Sequence, residues 1–283
     1  MNPGPSTRLL LNLGCGHRYH SDWTNIDIVA HGPGVVAHDL SRGIPLPDGS
    51  CDVVYHSHVV EHIRRAEALA FVRECFRVLK PGGVVRVATP DLERIAQLYL
   101  QKLNEASGGD AASTADYDWM LLEMYDQTVR ERTGGEMTDF LAQNPLSNER
   151  FVVERIGQEG REIIAACRQR SGEPRRSVGR EMIRRPRGLF EKAGAGLLKL
   201  FFGTDAPGAL ALGRFRRAGE VHQWMYDRFS LARLLKAGGF SEPTVRAATE
   251  SAIPDWRTFN LDTLPDGSVV KPDSLFMEAV KAN

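Results

Sequence analysis

Short apolar segments alternate with turn-forming sequence over the first ninety residues, and this alternation constrains the fold more than any other feature. The apolar segments are residues 9–13, 23–28, 35–37, 51–56 and 84–88, and each has the length of a single strand. Short apolar runs separated by crossover segments are typical of a parallel sheet that other elements cover. This half of the chain therefore predicts an α/β protein.

The helices and the late strands are predicted from periodicity. Residues 66–79 place Leu69, Val72 and Phe76 at helical spacing, and residues 230–237 predict a second helix of this kind. Residues 244–248 and 275–280 predict two more strands, which makes seven in all.

A long stretch without a predicted strand separates these regions. We expect three parts: residues 1–91 form the first part of the core, residues 92–218 form a helical, basic insertion, and residues 219–283 close the core. Within the insertion, residues 104–114 are rich in Gly, Ser and Ala and are expected to be a flexible linker.

Composition narrows the classes of function. The 283 residues include 36 Lys and Arg and 36 Asp and Glu, so the formal net charge of zero disfavours a globally basic nucleic-acid binder. The four cysteines lie far apart without a CxxC pair, which argues against a zinc ribbon or a disulfide framework. With no apolar run long enough to span a bilayer, a cytoplasmic protein is expected.

A glycine pair follows the first predicted strand. In Gly14-Cys15-Gly16, each glycine permits a positive φ and lacks the Cβ that would keep a ligand away from the backbone. A dinucleotide fingerprint needs a third glycine, but that position holds Tyr19. A nicotinamide enzyme is thereby disfavoured, and an ordinary turn is the alternative.

Two acidic residues follow the next strands. Asp27 ends the second predicted strand, where a carboxylate can accept hydrogen bonds from both hydroxyls of a ribose. Asp39 follows the third strand and is in place to accept from an adenine amino group. The alternative for both is a solvated or capping carboxylate.

Taken together, five sequence blocks resemble a class I S-adenosylmethionine-dependent methyltransferase of the type 11 kind. In chain order they are residues 11–16, 23–27, 38–40, 52–55 with 60–62, and 77–83. Residues 229–240 resemble the last helix of that family before its closing β-hairpin. Within the family the chain is most similar to bacterial members of sugar, lipopolysaccharide or secondary-metabolite pathways.

The resemblance implies a fold, a cofactor and its contacts. The fold would be a Rossmann-like, doubly wound sheet of seven strands, mostly parallel with an antiparallel last strand, plus the helical insertion. S-adenosylmethionine would bind and leave as S-adenosylhomocysteine. Gly14, Cys15 and Gly16 would pass under its methionine part, and Asp27 would hold the ribose. Asp39 and Leu40 would meet the adenine, and Ser57 and His58 would border the transferable methyl group. Ile28 is also expected to bind the cofactor.

Methyl transfer to a hydroxyl requires a base, and three residues are candidates. His222 is the first, because it lies where the insertion returns to the core; an ordinary packed histidine is the alternative. Asp91 ends the fifth predicted strand, and His62 is the third candidate. The sequence shows no metal-ligand set, so metal-independent O-methylation is expected.

One motif points to a different chemistry. Residues 58–62 match the H-x-x-E-H pattern of zinc hydrolases, in which two histidines on one helix ligate the metal and the glutamate is the base. Here His58 directly follows a strand, and no third ligand is evident. The alternative is that Glu61 stabilises a helix N-terminus.

Residues 168–217 carry thirteen Lys and Arg against four Asp and Glu. Such a stretch forms either a solvated face or a clamp for an anionic acceptor. Residues 188–203 are apolar and lightly basic, which predicts a helix. This helix is expected to contact the inner face of a membrane peripherally, to form a homodimer contact or to pack in the core.

The expected acceptor is a small molecule or a glycan, including anionic ones. A non-catalytic cofactor-binding partner or membrane-surface scaffold is the rival function.

Overall fold

The computed structural model describes residues 8–110, 112–172 and 196–282, and its centre is a sheet of seven strands. The strands are β1 (Leu10–Leu13), β2 (Trp23–Asp27), β3 (Val35–Ala37), β4 (Cys51–Ser57), β5 (Leu79–Pro90), β6 (Ser241–Arg246) and β7 (Ser274–Val280). All seven lie at or within a few residues of the predicted segments.

The strand order is β3-β2-β1-β4-β5-β7-β6. The first five strands are parallel, and β7 is antiparallel to both β5 and β6. This order confirms the Rossmann-like seven-stranded sheet with an antiparallel last strand. The order reverses between β1 and β4, and a doubly wound sheet binds its ligand at the carboxyl ends of the strands at that point.

The two faces of the sheet are covered differently. On one face, α1 (Arg65–Val78) and α7 (Arg228–Ala237) pack over strand residues such as Leu11 and Leu13. On the other face, a cluster of aromatic residues packs around Trp23 with the short 3₁₀ helix Trp256–Phe259. The connections from β1 to β2 and from β2 to β3 are too short for a helix.

A fully buried arginine holds the second face together. The side chain of Arg86, on β5, has no exposed area and makes ion pairs with Asp262 at 2.8 Å and Glu278 at 2.7 Å. Its guanidinium also lies over the Trp256 ring, 4.4 Å from the centroid. The C-terminal segment is therefore tied to the centre of the sheet by charge as well as by apolar contact.

The described part of residues 92–218 contains helices as its regular elements. They are α2 (Leu92–Ser107), α3 (Ala112–Val129), α4 (Gly135–Leu141), α5 (Glu149–Gly172) and α6 (Ala206–Phe215), and residues 196–202 are helical as well. Residues such as Ile95, Trp119 and Ile156 form a second apolar core among α2, α3, α4 and α5. The domain boundaries stay a prediction.

The flexible linker predicted at residues 104–114 is wrong. α2 continues to Ser107 and α3 begins at Ala112, so both helices extend into the predicted linker, and they pack against each other. The Ser113 hydroxyl donates to Glu105 and Asp110, which ties the start of α3 back to α2. Small residues here allow the two helices to approach closely.

A glycine bends α5. Gly157 has φ 60° and ψ −134°, outside the helical region. A Cβ at this position would come within 2.5 Å of the Val270 carbonyl oxygen and 2.6 Å of Pro272 Cδ. The bend therefore lets α5 approach the segment before β7, and it directs residues 158–162 towards the carboxyl ends of the strands.

Candidate active site

A cavity of about 480 Å³ lies at the carboxyl ends of β1 and β4, where the strand order reverses. Four parts of the chain line it: the glycine loop after β1, the end of β4, the bent part of α5, and the segment from residue 261 to residue 276. Cavities of this size hold one small molecule or cofactor.

The glycine loop fits a ligand that passes close to the backbone. Gly14 has φ 62°, and a Cβ there would lie 2.4 Å from Val59 Cγ2. Gly16 has φ 51°, and a Cβ there would meet no atom within 4 Å, so its backbone faces open space. Burial raises the pKa of the Cys15 thiol to about 11, which keeps this lining residue neutral. All three loop residues line the cavity.

Asp27 lies beside this loop and is 9% exposed. Its carboxylate accepts the Gly16 N–H at 2.8 Å and the Val29 N–H at 3.2 Å. Neither Asp27 nor its neighbour Ile28, which is 70% exposed, is among the residues that line the cavity. A carboxylate has about four acceptor positions, so two remain for other donors. The predicted ribose contact stays a prediction.

The two residues predicted to meet the adenine also lie outside the cavity lining. The Asp39 carboxylate accepts the Ser41 N–H at 3.0 Å and caps a 3₁₀ turn, and the hydrogen bonds from Ser41 lower the pKa of Asp39. Leu40 packs against the main core. Their adenine contacts stay a prediction, and the capping role foreseen as the alternative is present.

Ser57 and His58 line the cavity as its β4 side. His58 adopts φ 54°, a strained conformation for a residue with a side chain, and such strain is common at functional sites. Its Nδ1 atom lies 3.0 Å from the Glu61 carboxylate, and its Nε2 atom lies 2.9 Å from the Ser274 hydroxyl. The imidazole is thereby held between an ionised carboxylate and a hydroxyl group in the cavity.

The three predicted catalytic residues differ in whether they reach the cavity. His62 lines the cavity. His222 is 7% exposed and does not, and burial lowers the pKa of its imidazole to about 3. Asp91 accepts the Arg94 N–H at 3.1 Å as the N-cap of α2, and it is not a lining residue either. The fold therefore brings one of the three to the cavity.

Glu61 and His222 are buried next to the half-buried His62, and the three side chains form a cluster. One potential ligand atom from each lies within 4.8 Å of the others, a grouping that could hold a metal ion. Burial alone would raise the pKa of Glu61, but the neighbouring imidazoles outweigh it and lower the pKa to about 2. The zinc-hydrolase arrangement is absent, because His58 precedes the 3₁₀ turn Val60–His62 instead of sharing a helix with His62.

Several lining residues were not indicated by the sequence. Gln158, Glu159 and Glu162 come from the bent part of α5, and Lys271 and Ser274 come from the other end of the chain. Glu159 and Lys271 form an ion pair at 3.0 Å, and Gln158 donates to Glu162 at 2.9 Å. Only the three-dimensional fold brings these residues to the glycine loop.

Residues 173–195 of the basic stretch, which carry seven of its thirteen Lys and Arg, lie outside the described residues. Of the apolar segment 188–203, the described part is helical and exposes Leu200, Phe201 and Phe202 by 72–76%. Among the described residues, every helix is too short or too polar to cross a membrane. Contact of this segment with a membrane surface or a second copy stays a prediction.

Comparisons with known proteins relate the first half of the sheet to one family. The family model described as "Methyltransferase domain" matches residues 11–87. Two relatives, each named a "Probable S-adenosylmethionine-dependent methyltransferase", are 39% identical over 102 residues (Mycolicibacterium smegmatis) and 35% identical over 106 residues (Mycobacterium tuberculosis). These alignments cover 30% and 31% of this chain and 38% of each relative, so the chain spans well under half their length.

A solved structure described as a SAM-dependent methyltransferase from Archaeoglobus fulgidus is 12% identical, with a TM-score of 0.38. The alignment covers 97% of this chain and 86% of that one.

Proposed function

We propose, on the premise that residues 11–87 form a methyltransferase domain of the S-adenosylmethionine-dependent class, that this protein transfers a methyl group from S-adenosylmethionine to a hydroxyl group of a small-molecule, glycan or lipid-linked acceptor. The domain match covers residues 11–87, whereas the proposed activity and acceptor class are those of the whole chain.

One observation carries the proposal: a single cavity is lined both by the glycine loop and by the insertion. Gly16 has open space beside its backbone, and Glu159 and Glu162 of α5 line the same cavity. A transferase must hold cofactor and acceptor in one water-excluded space with the reacting atoms aligned. A cavity shared between core and insertion supplies that arrangement.

The residues of the glycine loop suit this cofactor. S-adenosylmethionine supplies an electrophilic methyl group on a sulfonium when bound. Gly14, Cys15 and Gly16 would support its methionine part from below, because no side chain rises from Gly16 into the cavity. Asp27 would use its remaining acceptor positions for the ribose, and the exposed side chain of Ile28 next to it offers an apolar surface to the base.

His58 is better placed than His222 to accept the proton of the acceptor hydroxyl. It lines the cavity, whereas His222 does not. Because Glu61 lies 3.0 Å from Nδ1, the Nδ1 atom carries the hydrogen and Nε2 is left as the acceptor that faces the cavity. His58 Nε2 would take the proton of an acceptor hydroxyl that replaces the Ser274 hydroxyl as its partner. S-adenosylmethionine would supply the methyl group through cleavage of its sulfonium carbon–sulfur bond and leave as S-adenosylhomocysteine.

The bent part of α5 favours a polyhydroxylated acceptor. The Gln158, Glu159 and Glu162 side chains offer amide and carboxylate groups, which suit the hydroxyl groups of a sugar. The cation of Lys271 is already paired with Glu159. This lining supports a neutral glycan over the anionic acceptor that the basic stretch favours, and it supports acceptor recognition by residues 92–218.

The test is methyl transfer by the full chain from methyl-labelled S-adenosylmethionine to a panel of sugars, glycans and lipid-linked saccharides. We expect release of S-adenosylhomocysteine with an O-methylated product. Glu162→Ala should raise the acceptor KM at least about tenfold, because a hydrogen bond to a charged group contributes about 1.5–3 kcal/mol. Glu154→Ala, on the same helix and paired with exposed Arg150, is the matched control.

Cofactor binding without transfer to any hydroxylic acceptor would contradict the proposal and support the non-catalytic partner instead. An unchanged acceptor KM for Glu162→Ala would remove α5 from the acceptor site.

A further inference from the structure

We propose that Glu61, His62 and His222 form a binding site for one divalent transition-metal ion of the zinc class. The inference does not rest on the proposed methyl transfer, since none of its observations involves the cofactor or the acceptor. The site borders the cavity at His62 and lies between the turn that follows β4 and the segment that returns from the insertion.

The three side chains are of types that bind Zn²⁺, and their potential ligand atoms lie close together. Two imidazoles and one carboxylate are the protein ligands of many Zn²⁺ sites with an open fourth position. The three potential ligand atoms lie within 4.8 Å of one another. In a tetrahedral site, metal–ligand bonds of about 2.1 Å place the ligand atoms about 3.4 Å apart, so binding would draw the most widely separated pair together by up to about 1.4 Å.

The two histidines of the cluster each bury a ring nitrogen that lacks a hydrogen-bond partner. These atoms are His62 Nδ1 and His222 Nδ1. Glu61 lies beside them with no exposed area, and its Oε1 atom has the His58 ring, 3.0 Å away, as its partner. A buried polar atom left unpaired is strongly unfavourable, and two in one cluster beside a carboxylate point to a shared partner. One cation would satisfy both nitrogens, and the Glu61 carboxylate would balance its charge.

The surrounding backbone already fixes the ligands. The carbonyl oxygen of Glu61 accepts the Gln223 N–H at 2.6 Å and the Trp224 N–H at 3.1 Å, and the His222 N–H donates to the Gln127 carbonyl. The His62 ring also bonds to the carbonyl of Val221, through Nε2, because its Nδ1 atom has no partner. A backbone carbonyl on the second ring nitrogen is the usual support for a metal-ligating histidine.

The cluster contains two residues of the H-x-x-E-H motif in a different arrangement. Glu61 and His62 come from the motif, and His222 joins them from 160 positions further along the chain. His58 is left out and keeps its place in the cavity. The ion would join the return of the insertion to the end of β4, so it would hold the cavity wall without acting on the methyl group.

The test uses the full chain, with any affinity tag removed, loaded with Zn²⁺ or Co²⁺ and passed through gel filtration. We expect about one Zn²⁺ per chain by mass spectrometry of the metal. The Co²⁺ form should show visible d–d absorption bands, and Zn²⁺ should raise the melting temperature. His222→Ala should weaken Zn²⁺ binding at least about 100-fold, since even loss of an outer-shell partner costs 10–100-fold.

His20→Ala is the matched control, because His20 lies at the surface outside the cluster. His222→Cys retains a zinc ligand and should keep the metal, which separates loss of a ligand from loss of the fold. A wild-type chain that retains no metal after gel filtration, or a folded His222→Ala variant that binds Zn²⁺ as tightly as the wild type, would overturn the proposal. If His222→Ala fails to fold, the wild-type Co²⁺ spectrum and metal content decide.

Discussion

Replacing Arg86 with methionine should lower the free energy of unfolding by about 3–5 kcal/mol, because it strands two buried carboxylates without their cation. Arg86 has no exposed area, and its partners Asp262 and Glu278 are 4% and 3% exposed. Methionine fills much of the same volume, so the loss reports the missing charge rather than a cavity. The two carboxylates would then lie in the apolar face around Trp256 without compensation.

The measurement is urea unfolding followed by circular dichroism. Arg150→Ala is the matched control, since the Arg150 side chain is 92% exposed and pairs with Glu154 at the surface; its loss should change the free energy by less than about 1 kcal/mol. A loss below about 1 kcal/mol in the Arg86→Met variant would show that the buried network does not hold the C-terminal segment to the sheet.

Replacing His58 with asparagine should lower kcat by about 10²–10⁴-fold, the usual contribution of a positioned general base. Asparagine tolerates the left-handed backbone that His58 adopts, so the substitution removes the imidazole without forcing a change in the turn. The Nε2 atom that faces Ser274 is lost with the imidazole. The affinity for S-adenosylhomocysteine should fall by much less than kcat.

The measurement is steady-state turnover with the acceptor found in the transfer assay, together with calorimetric titration of S-adenosylhomocysteine. His20→Asn provides the control for a histidine outside the cavity. If His58→Asn retains more than about a tenth of the wild-type kcat, another group accepts the proton.

The sheet could be predicted from the sequence because its strands are short, apolar and separated by clear turn signals. β3 coincides with the predicted residues, and β1 and β2 differ from them by one residue. The glycine loop could be placed for the same reason, since a positive φ at Gly14 and Gly16 follows from where the strand ends.

The composition of the cavity could not be predicted, because it depends on contacts between distant parts of the chain. Ser274 meets His58 across 216 positions, and Glu159 meets the core only because α5 bends at Gly157. Neither contact leaves a periodic pattern in the sequence. Arg86 was also missed, since one arginine within an apolar strand gives no sign of its two distant partners.

For His222, the sequence predicted the position of the backbone but not the surroundings of the side chain. The expectation that the returning chain meets the end of β4 holds, because the backbone of residues 222–224 bonds to Gln127 and Glu61. Yet this close packing buries the imidazole of His222 and turns it towards Glu61 and His62, away from the cavity lining. His58 and His62 line the cavity instead, and the family resemblance had placed His58 beside the transferable methyl group.

Calorimetric titration of the full chain with S-adenosylhomocysteine, and separately with NAD⁺, tests the central claim most directly. The account predicts one S-adenosylhomocysteine per chain and no saturable binding of NAD⁺. Asp27→Ala should weaken the binding at least about tenfold, a loss of about 1.4 kcal/mol. The absence of S-adenosylhomocysteine binding, or tighter binding of NAD⁺, would contradict it.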